Sequence, residues 1–153
     1  MRVEMAKTAD AEALTALINA AFAVEKFFID GNRVNLDMVR ALLEKGRFLV
    51  ARNEAGVAGC VYLERRGERG YLGLLSVDPA RQKTGLGRLL MEAAEDYGRE
   101  CWWKAVDLRV VNLREELPAF YRRLGYQDCG EEEFPPGEPA RLPCHFLKMT
   151  KAL

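Results

Sequence analysis

Apolar residues recur along this chain with two different periods. Leu14, Leu17, Ile18, Ala21 and Phe22 share one face of a helix, which Thr8 or Asp10 is placed to cap. Leu36, Val39, Leu42 and Leu43 predict a second helix, opened by Asn35 and stopped by Gly46. The clearest helical stripe is Leu86, Leu89, Leu90, Ala93, Ala94 and Tyr97. A shorter helix carries Leu117, Phe120, Tyr121 and Leu124, and Gly125 ends it. The remaining apolar runs predict strands at residues 2–6, 48–52, 57–64, 71–77, 105–111 and 144–150, with a further candidate at 126–129. Alternation is cleanest at 105–111, where Val106, Leu108 and Val110 face one way and Asp107 and Arg109 the other.

The connections complete the pattern. Asn53 to Gly56 and the polar loop 65–70 are short, which predicts an antiparallel meander. Asp78-Pro79 stops the strand before it, because proline cannot donate to a ladder. Residues 134–143 hold four of the six prolines and read as a loop. No repeat or linker interrupts the order, so residues 1–153 read as one mixed α/β domain.

Charge and composition narrow the function. Lys and Arg number 23, Asp and Glu 23, and there is a single His. Zero balance argues against a nucleic-acid binder, which normally shows a basic excess. One His argues against a multi-His metal centre. The longest charge-free stretch, residues 13–24, falls short of the roughly 20 residues a membrane span needs, and no leader-like apolar region follows Met1. We therefore expect a cytoplasmic protein with no membrane partner. Cys60, Cys101, Cys129 and Cys144 form no C-x-x-C pair and read as free thiols. Cys144 beside His145 suggests a nucleophile with its base, but neighbours on a strand point to opposite faces.

The most informative segment is Gln82-Lys83-Thr84-Gly85-Leu86-Gly87-Arg88, between a strand and the strongest helix. A helix start presents unpaired N–H groups and partial positive charge. Gly85 and Gly87 let a ligand approach the backbone, and Arg81, Lys83 and Arg88 add positive charge with no acid among them. The segment reads as a phosphate or pyrophosphate cradle. It is neither a P-loop, which needs Gly-Lys-Ser/Thr, nor a dinucleotide fingerprint, whose third small position is Leu90 here.

Leu74-Leu75-Ser76-Val77-Asp78-Pro79, then Gln82-x-x-Gly85-x-Gly87 and a Leu-rich helix, resembles the GNAT superfamily of acetyl-CoA-dependent N-acetyltransferases. Phe120-Tyr121-Arg122-Arg123-Leu124-Gly125-Tyr126 is similar to the family's second signature, at the family's separation, and the element order matches across nearly the whole chain. The resemblance implies a mixed α/β fold with a mostly antiparallel sheet of six to seven strands, splayed at strands 4 and 5 and flanked by about four helices. It implies acetyl-CoA as donor and coenzyme A as product. Gln82, Lys83, Thr84, Gly85, Leu86, Gly87 and Arg88 would then hold the pyrophosphate, and backbone at Leu75, Ser76 and Val77 the pantetheine.

In the same family the position of Tyr121 often holds the acid that protonates the departing sulfur; the alternative is a core aromatic beside Leu117 and Leu124. Two departures matter. The Asn expected seven residues before this Tyr is Arg114, with Asn112 nearby as a cofactor contact or a turn-former. The glutamate that serves as base in histone-type relatives is replaced by Tyr71, which makes a protein-lysine acceptor less expected. The resemblance implies a primary amine of a small molecule or peptide as acceptor, with Glu25, Glu64 and His145 as candidate bases, each of which has an ordinary structural alternative. Phe27, Phe28 and Arg33 lie in the segment that forms the acceptor wall in relatives, and Arg33 suits an acceptor carrying a carboxylate. Glu131 to Glu133 reads as a solvated loop. Trp102-Trp103 reads as packing on the sheet, or as a partner surface. A non-catalytic coenzyme A-binding module is the alternative function, and relatives also form homodimers.

Overall fold

A computed structural model describes residues 1–135 and 140–153. Seven strands form one sheet in the order β1-β2-β3-β4-β5-β7-β6. They are β1 (Arg2–Met5), β2 (Arg47–Asn53), β3 (Gly56–Arg66), β4 (Arg69–Val77), β5 (Ala105–Val111), β6 (Gln127–Glu133) and β7 (His145–Ala152). The helices are α1 (Ala11–Ala21), α2 (Leu36–Lys45), α3 (Leu86–Glu100) and α4 (Glu116–Arg123). All neighbouring strands pair antiparallel except β4 and β5, which are parallel. Among the described residues, no helix is long and apolar enough to cross a membrane.

The period-2 patterns sort the sheet into two faces. On one, Val61, Leu63, Leu72, Val106, Leu108 and Val110 pack with Leu90, Met91 and Ala94 of α3 and Tyr121 of α4. On the other, Phe48, Val50, Cys60 and Tyr62 pack with Leu14, Leu17 and Ile18 of α1 and Val39 of α2. Farther along that second face, Phe28 seals Val111 and Phe146. Each buried Leu or Phe contributes roughly 1.5–3 kcal/mol of transfer free energy, so these stripes decide which way each strand turns.

Several elements differ from expectation. The 65–70 loop contracts to a turn at Gly67-Glu68, because β3 and β4 pair out to Arg66 and Arg69. The candidate strand at 126–129 extends to Glu133, so Glu131 to Glu133 lie in a strand rather than a loop. β6 is a sheet edge whose residues are all exposed, which lets charged side chains follow a strand without desolvation. Leu89 is exposed and Met91 takes its place, since the buried arc of α3 centres on Leu86, Leu90, Met91, Ala94 and Gly98. Thr8–Asp10 is a 3-10 turn before α1. Asp10 there accepts from the Lys7 N–H (2.8 Å) and pairs with Arg52 (3.0 Å), which also binds Glu4 (2.7 Å). Of the expected 134–143 loop, residues 136–139 lie outside the described residues.

The tryptophans divide. Trp102 stands in the left-handed region (φ 62°) where α3 ends, a position glycine usually takes, and is almost wholly exposed. Trp103 is buried, and its indole lies directly over the Gly70 backbone. A Cβ built on Gly70 would stand 2.0 Å from Trp103 Cε3, and Gly70 belongs to one of the two residue pairs that join β4 to β5. Gly70→Ala is therefore expected to cost about 1–3 kcal/mol through overpacking. Urea unfolding should show a lowered midpoint with little change in slope.

Candidate active site where two strands part

β4 and β5 pair only at Gly70–Val106 and Tyr71–Asp107. Beyond Tyr71 the ladder stops, and the strands separate into a V. On its other side β5 pairs with β7 over its whole length, and β4 pairs with β3. Each wall of the V is thus held by a ladder on its outer side, while its inner edge carries free backbone groups.

A bulge marks β4 where the V opens. Cys60 faces Ser76 and Tyr62 faces Gly73, so Val61 alone spans both Leu74 and Leu75. Leu74 takes φ 53°, an uncommon conformation for a residue with a side chain. Its carbonyl accepts from the Ser76 hydroxyl (2.9 Å) and, more weakly, from the Cys60 thiol (3.8 Å). Burial pushes the Cys60 thiol up to about 12, so it stays protonated. Asp78 N–H turns toward β3, bonding Ala58 O at 2.8 Å. By alternation the Val77 and Leu75 N–H groups turn into the V.

The glycine loop closes the wide end. Gly85 sits at φ 86° as the residue before α3, and Lys83 is also left-handed at φ 66°. Nothing lies within 4 Å of a Cβ placed on Gly85, so the approach to the helix N-terminus is open. Gly87 faces Phe120 Cζ (3.5 Å from an ideal Cβ), Val77 and Leu75, which places α3, α4 and β4 around one opening. The Thr84 hydroxyl donates to Arg81 O (2.6 Å) and holds the loop's turn. Arg88 is not a free charge: it pairs with Glu92 one turn along (3.0 Å). Gln82, Lys83 and Thr84 are exposed.

Tyr121 lies on the α3–α4 face, next to Phe120, whose ring meets Gly87 at the opening. It is buried, stacks edge-on with Phe120 and Tyr126, and its hydroxyl has no hydrogen-bond partner among the described residues. Burial is the main influence and raises the phenol above its ordinary range; nearby Arg114 partly opposes it, and Tyr71 also lies close. Tyr126 fixes the end of α4 by donating to buried Glu95 (3.0 Å), which also receives Lys151 (2.7 Å). A buried acid with two partners avoids the heavy cost of an unpaired one.

The opposite face holds the acceptor-side candidates, and they separate clearly. Glu25 lies in the 3-10 segment Phe22–Phe27 and is buried, with Oε2 bonded to Arg114 Nη1 (2.8 Å). Burial raises its carboxyl above the usual range, and the Arg114 bond only partly offsets this. Glu64 is buried too, but it accepts from the Tyr62 hydroxyl (2.8 Å) and Arg66 (2.7 Å), with Lys45 at 3.6 Å. Burial raises its carboxyl, but the bonds from Arg66 and Tyr62 outweigh that and hold it below the usual range, which makes it the weaker base.

His145 heads β7 on the α4 side, with Glu131 at 3.8 Å, and lines a hollow with Glu131 to Glu133. It is not on the face that carries Glu25 and Phe28. Asn112 Oδ1 accepts the His145 N–H (2.9 Å) and its own N–H returns to His145 O (2.9 Å), so it ties β5 to β7. Phe28 is completely buried and props the wall from behind, whereas Phe27 is exposed. Arg33 stacks over Phe22 (5.6 Å) at the rim of a cleft that Glu25 also lines.

Sequence reasoning missed the bulge, which leaves no residue signature at Leu74, and the use of Arg114. The latter had a signal: Arg114 stands where the resemblance expects Asn, and Glu25 had already been singled out.

Comparison with known proteins establishes the family and the fold. Residues 44–128 match the family model described as the acetyltransferase (GNAT) domain, and the chain belongs to that family, whose acetyl donor is acetyl-CoA. A mycothiol acetyltransferase of Propionibacterium freudenreichii subsp. shermanii is 29% identical over 95% of this chain and 49% of its own length. The chain spans about half the length of the curated relatives it matches. Among solved structures, a ribosomal-protein-alanine N-acetyltransferase from Brucella melitensis superposes with a TM-score of 0.78 at 24% identity, covering all of both chains. Salmonella typhimurium yncA, solved with its cofactor acetyl-CoA, gives 0.79 at 22% identity, over 100% of this chain and 94% of its own. At these identities the likeness shows the fold.

If the loop holds a polyphosphate, Arg81 and Lys83 act on it as charges. Arg81→Glu/Lys83→Glu should weaken coenzyme A binding at least about tenfold by calorimetry, since one charge-assisted bond is worth about 1.5–3 kcal/mol. The melting temperature should hold, because neither side chain has an ion-pair partner among the described residues.

Proposed function

We propose that this chain transfers the acetyl group of acetyl-CoA to a primary amine of a small molecule or peptide. The observation that carries the proposal is the V between β4 and β5, with free strand edges inside, an anion-binding helix start at its mouth and Tyr121 beside it. Val77 and Leu75 backbone would bind the pantetheine amides as an added strand does, and residues 82–88 the pyrophosphate. The thioester then lies in the opening, reachable from the Glu25 face.

The amine nitrogen attacks the acetyl carbon, the carbon–sulfur bond breaks, and the thiolate takes a proton. No acyl-enzyme forms, and aligning amine with thioester supplies most of the rate. Tyr121 is the acid. Its raised phenol is protonated at neutral pH but donates reluctantly, and coenzyme A thiolate is a fair leaving group. Its contribution therefore falls at the low end of the usual 10²–10⁴.

Glu25 is the base that takes the amine's proton, directly or through water. Burial raises the proton affinity of its carboxylate, as a base requires, while the Arg114 bond favours the ionised form and fixes its direction.

Steady-state assays on purified variants test both roles. Tyr121→Phe should lower kcat about 10²-fold and Glu25→Gln about 10²- to 10³-fold, with acetyl-CoA affinity retained in each. Unchanged turnover in either variant removes that residue from the mechanism. Wild-type protein that binds acetyl-CoA but releases no thiol with any amine would instead support a non-catalytic binding module of the same fold.

A further inference from the structure

The acceptor's chemistry is written where the strands part. Alternation puts Tyr71 and Gly73 of β4, and Asp107, Arg109 and Val111 of β5, on the face that carries Glu25 and Phe28. Tyr71 and Asp107 form the last pair of the ladder. Just beyond it β4 offers only Gly73, and the Tyr71 ring fills that space: an ideal Cβ on Gly73 would stand 3.0–3.3 Å from three of its atoms. Arg66 covers the ring from outside, with its guanidinium carbon 4.0 Å from the centroid. On the β5 side the first side chain inside the V is Arg109. On this face the polar groups next to the last ladder pair are therefore the Tyr71 hydroxyl and the partly exposed Arg109 guanidinium.

Arg109 is held and aimed. Its guanidinium stacks 4.2 Å over the Phe146 ring, and Nη1 bonds Glu132 Oε2 at 2.7 Å. The Tyr71 hydroxyl lies beside it, and Lys148 is its cross-strand partner. The bond to Glu132 occupies one nitrogen of the fork, and the Tyr71 hydroxyl is within hydrogen-bond reach of the same group. Nε and Nη2 have no carboxylate partner among the described residues. A planar, half-paired guanidinium flanked by a hydroxyl donor is a receptor for a carboxylate. Asp107 cannot serve, because Arg69 binds both its oxygens (2.7 Å each) and Thr150 also donates to it (2.8 Å).

We propose that the acceptor is an amine that also carries a carboxylate, a short amino acid, with Arg109 and Tyr71 binding the carboxylate at the crotch of the V while the amine faces the thioester. The proposal rests on the acetyltransferase reading above. Arg109 would be a specificity residue, set apart from the base and the acid.

Matched acceptor pairs test it: amino acids and their primary carboxamides, assayed for thiol release with acetyl-CoA. The carboxamide has the less basic, more readily freed amine, so intrinsic reactivity opposes the expected preference. Wild-type protein should favour the carboxylate at least about tenfold in kcat/KM. Arg109→Gln should raise KM for the carboxylate about 10- to 100-fold and bring the ratio of the two kcat/KM values near unity. Arg109→Lys, which keeps the charge, should restore part of the preference. Equal use of both members by wild-type protein, or a ratio that Arg109→Gln leaves unchanged, overturns this proposal alone. Acetyl-CoA binding with no turnover of any acceptor overturns it together with the acetyltransferase reading.

Discussion

The structure depends on one interrupted ladder. β4 and β5 are joined at two residue pairs and then diverge, although β5 stays paired with β7 along its length and β4 with β3 on either side of one bulge. A sheet normally conceals backbone N–H and C=O groups, because leaving them unpaired and buried is costly. Here the cost is limited because the free edges face an opening that water or a ligand can enter. The root of the V must then be strong, and it is secured on both faces. Trp103 packs on Gly70 from one side, and Arg69 clasps Asp107 and Thr150 from the other.

The two faces of the V divide the work. On the proposed reading, the α3–α4 face, with its uncovered helix start and buried Tyr121, takes the phosphate-bearing thioester and its departing sulfur. On the same reading, the other face, with Glu25, Tyr71 and Arg109, receives the incoming amine. The Glu25–Arg114 ion pair joins them, since Glu25 lies before α2 and Arg114 lies just ahead of α4. With both partners mostly buried, removing either leaves an uncompensated charge, so the pair fixes the acceptor wall against the turn that leads to Tyr121. The formal charge of zero conceals this arrangement, in which Glu64, Asp107, Glu132 and Glu25 pair with Arg66, Arg69, Arg109 and Arg114.

Much of this was legible in the sequence for a physical reason. Helix and strand periods are imposed by burial, so α1, α2, α4 and β5 could be read from apolar spacing, and the Gly85–Gly87 loop from the need for a bare helix start. What could not be read depends on contacts across the fold. Glu131 to Glu133 resembled a loop because an exposed edge strand has no apolar face to reveal it. Leu89 resembled core because a stripe gives a direction but not the exact centre of the buried arc. The bulge at Leu74 left no trace, since Leu has no local preference for that backbone. Glu25 and Glu64 looked equivalent as bases until their partners were visible: three donors around one, a single arginine and burial around the other.

The central claim is that the gap between β4 and β5 is the donor site. Hydrogen–deuterium exchange of the intact chain, with and without acetyl-CoA, tests it most directly. The account predicts that amides in residues 74–77 of β4 and 82–88 of the loop slow markedly on binding, while β1 and β2 are unaffected. Binding that leaves those amides exchanging as before, or protects only a surface remote from the V, would contradict it.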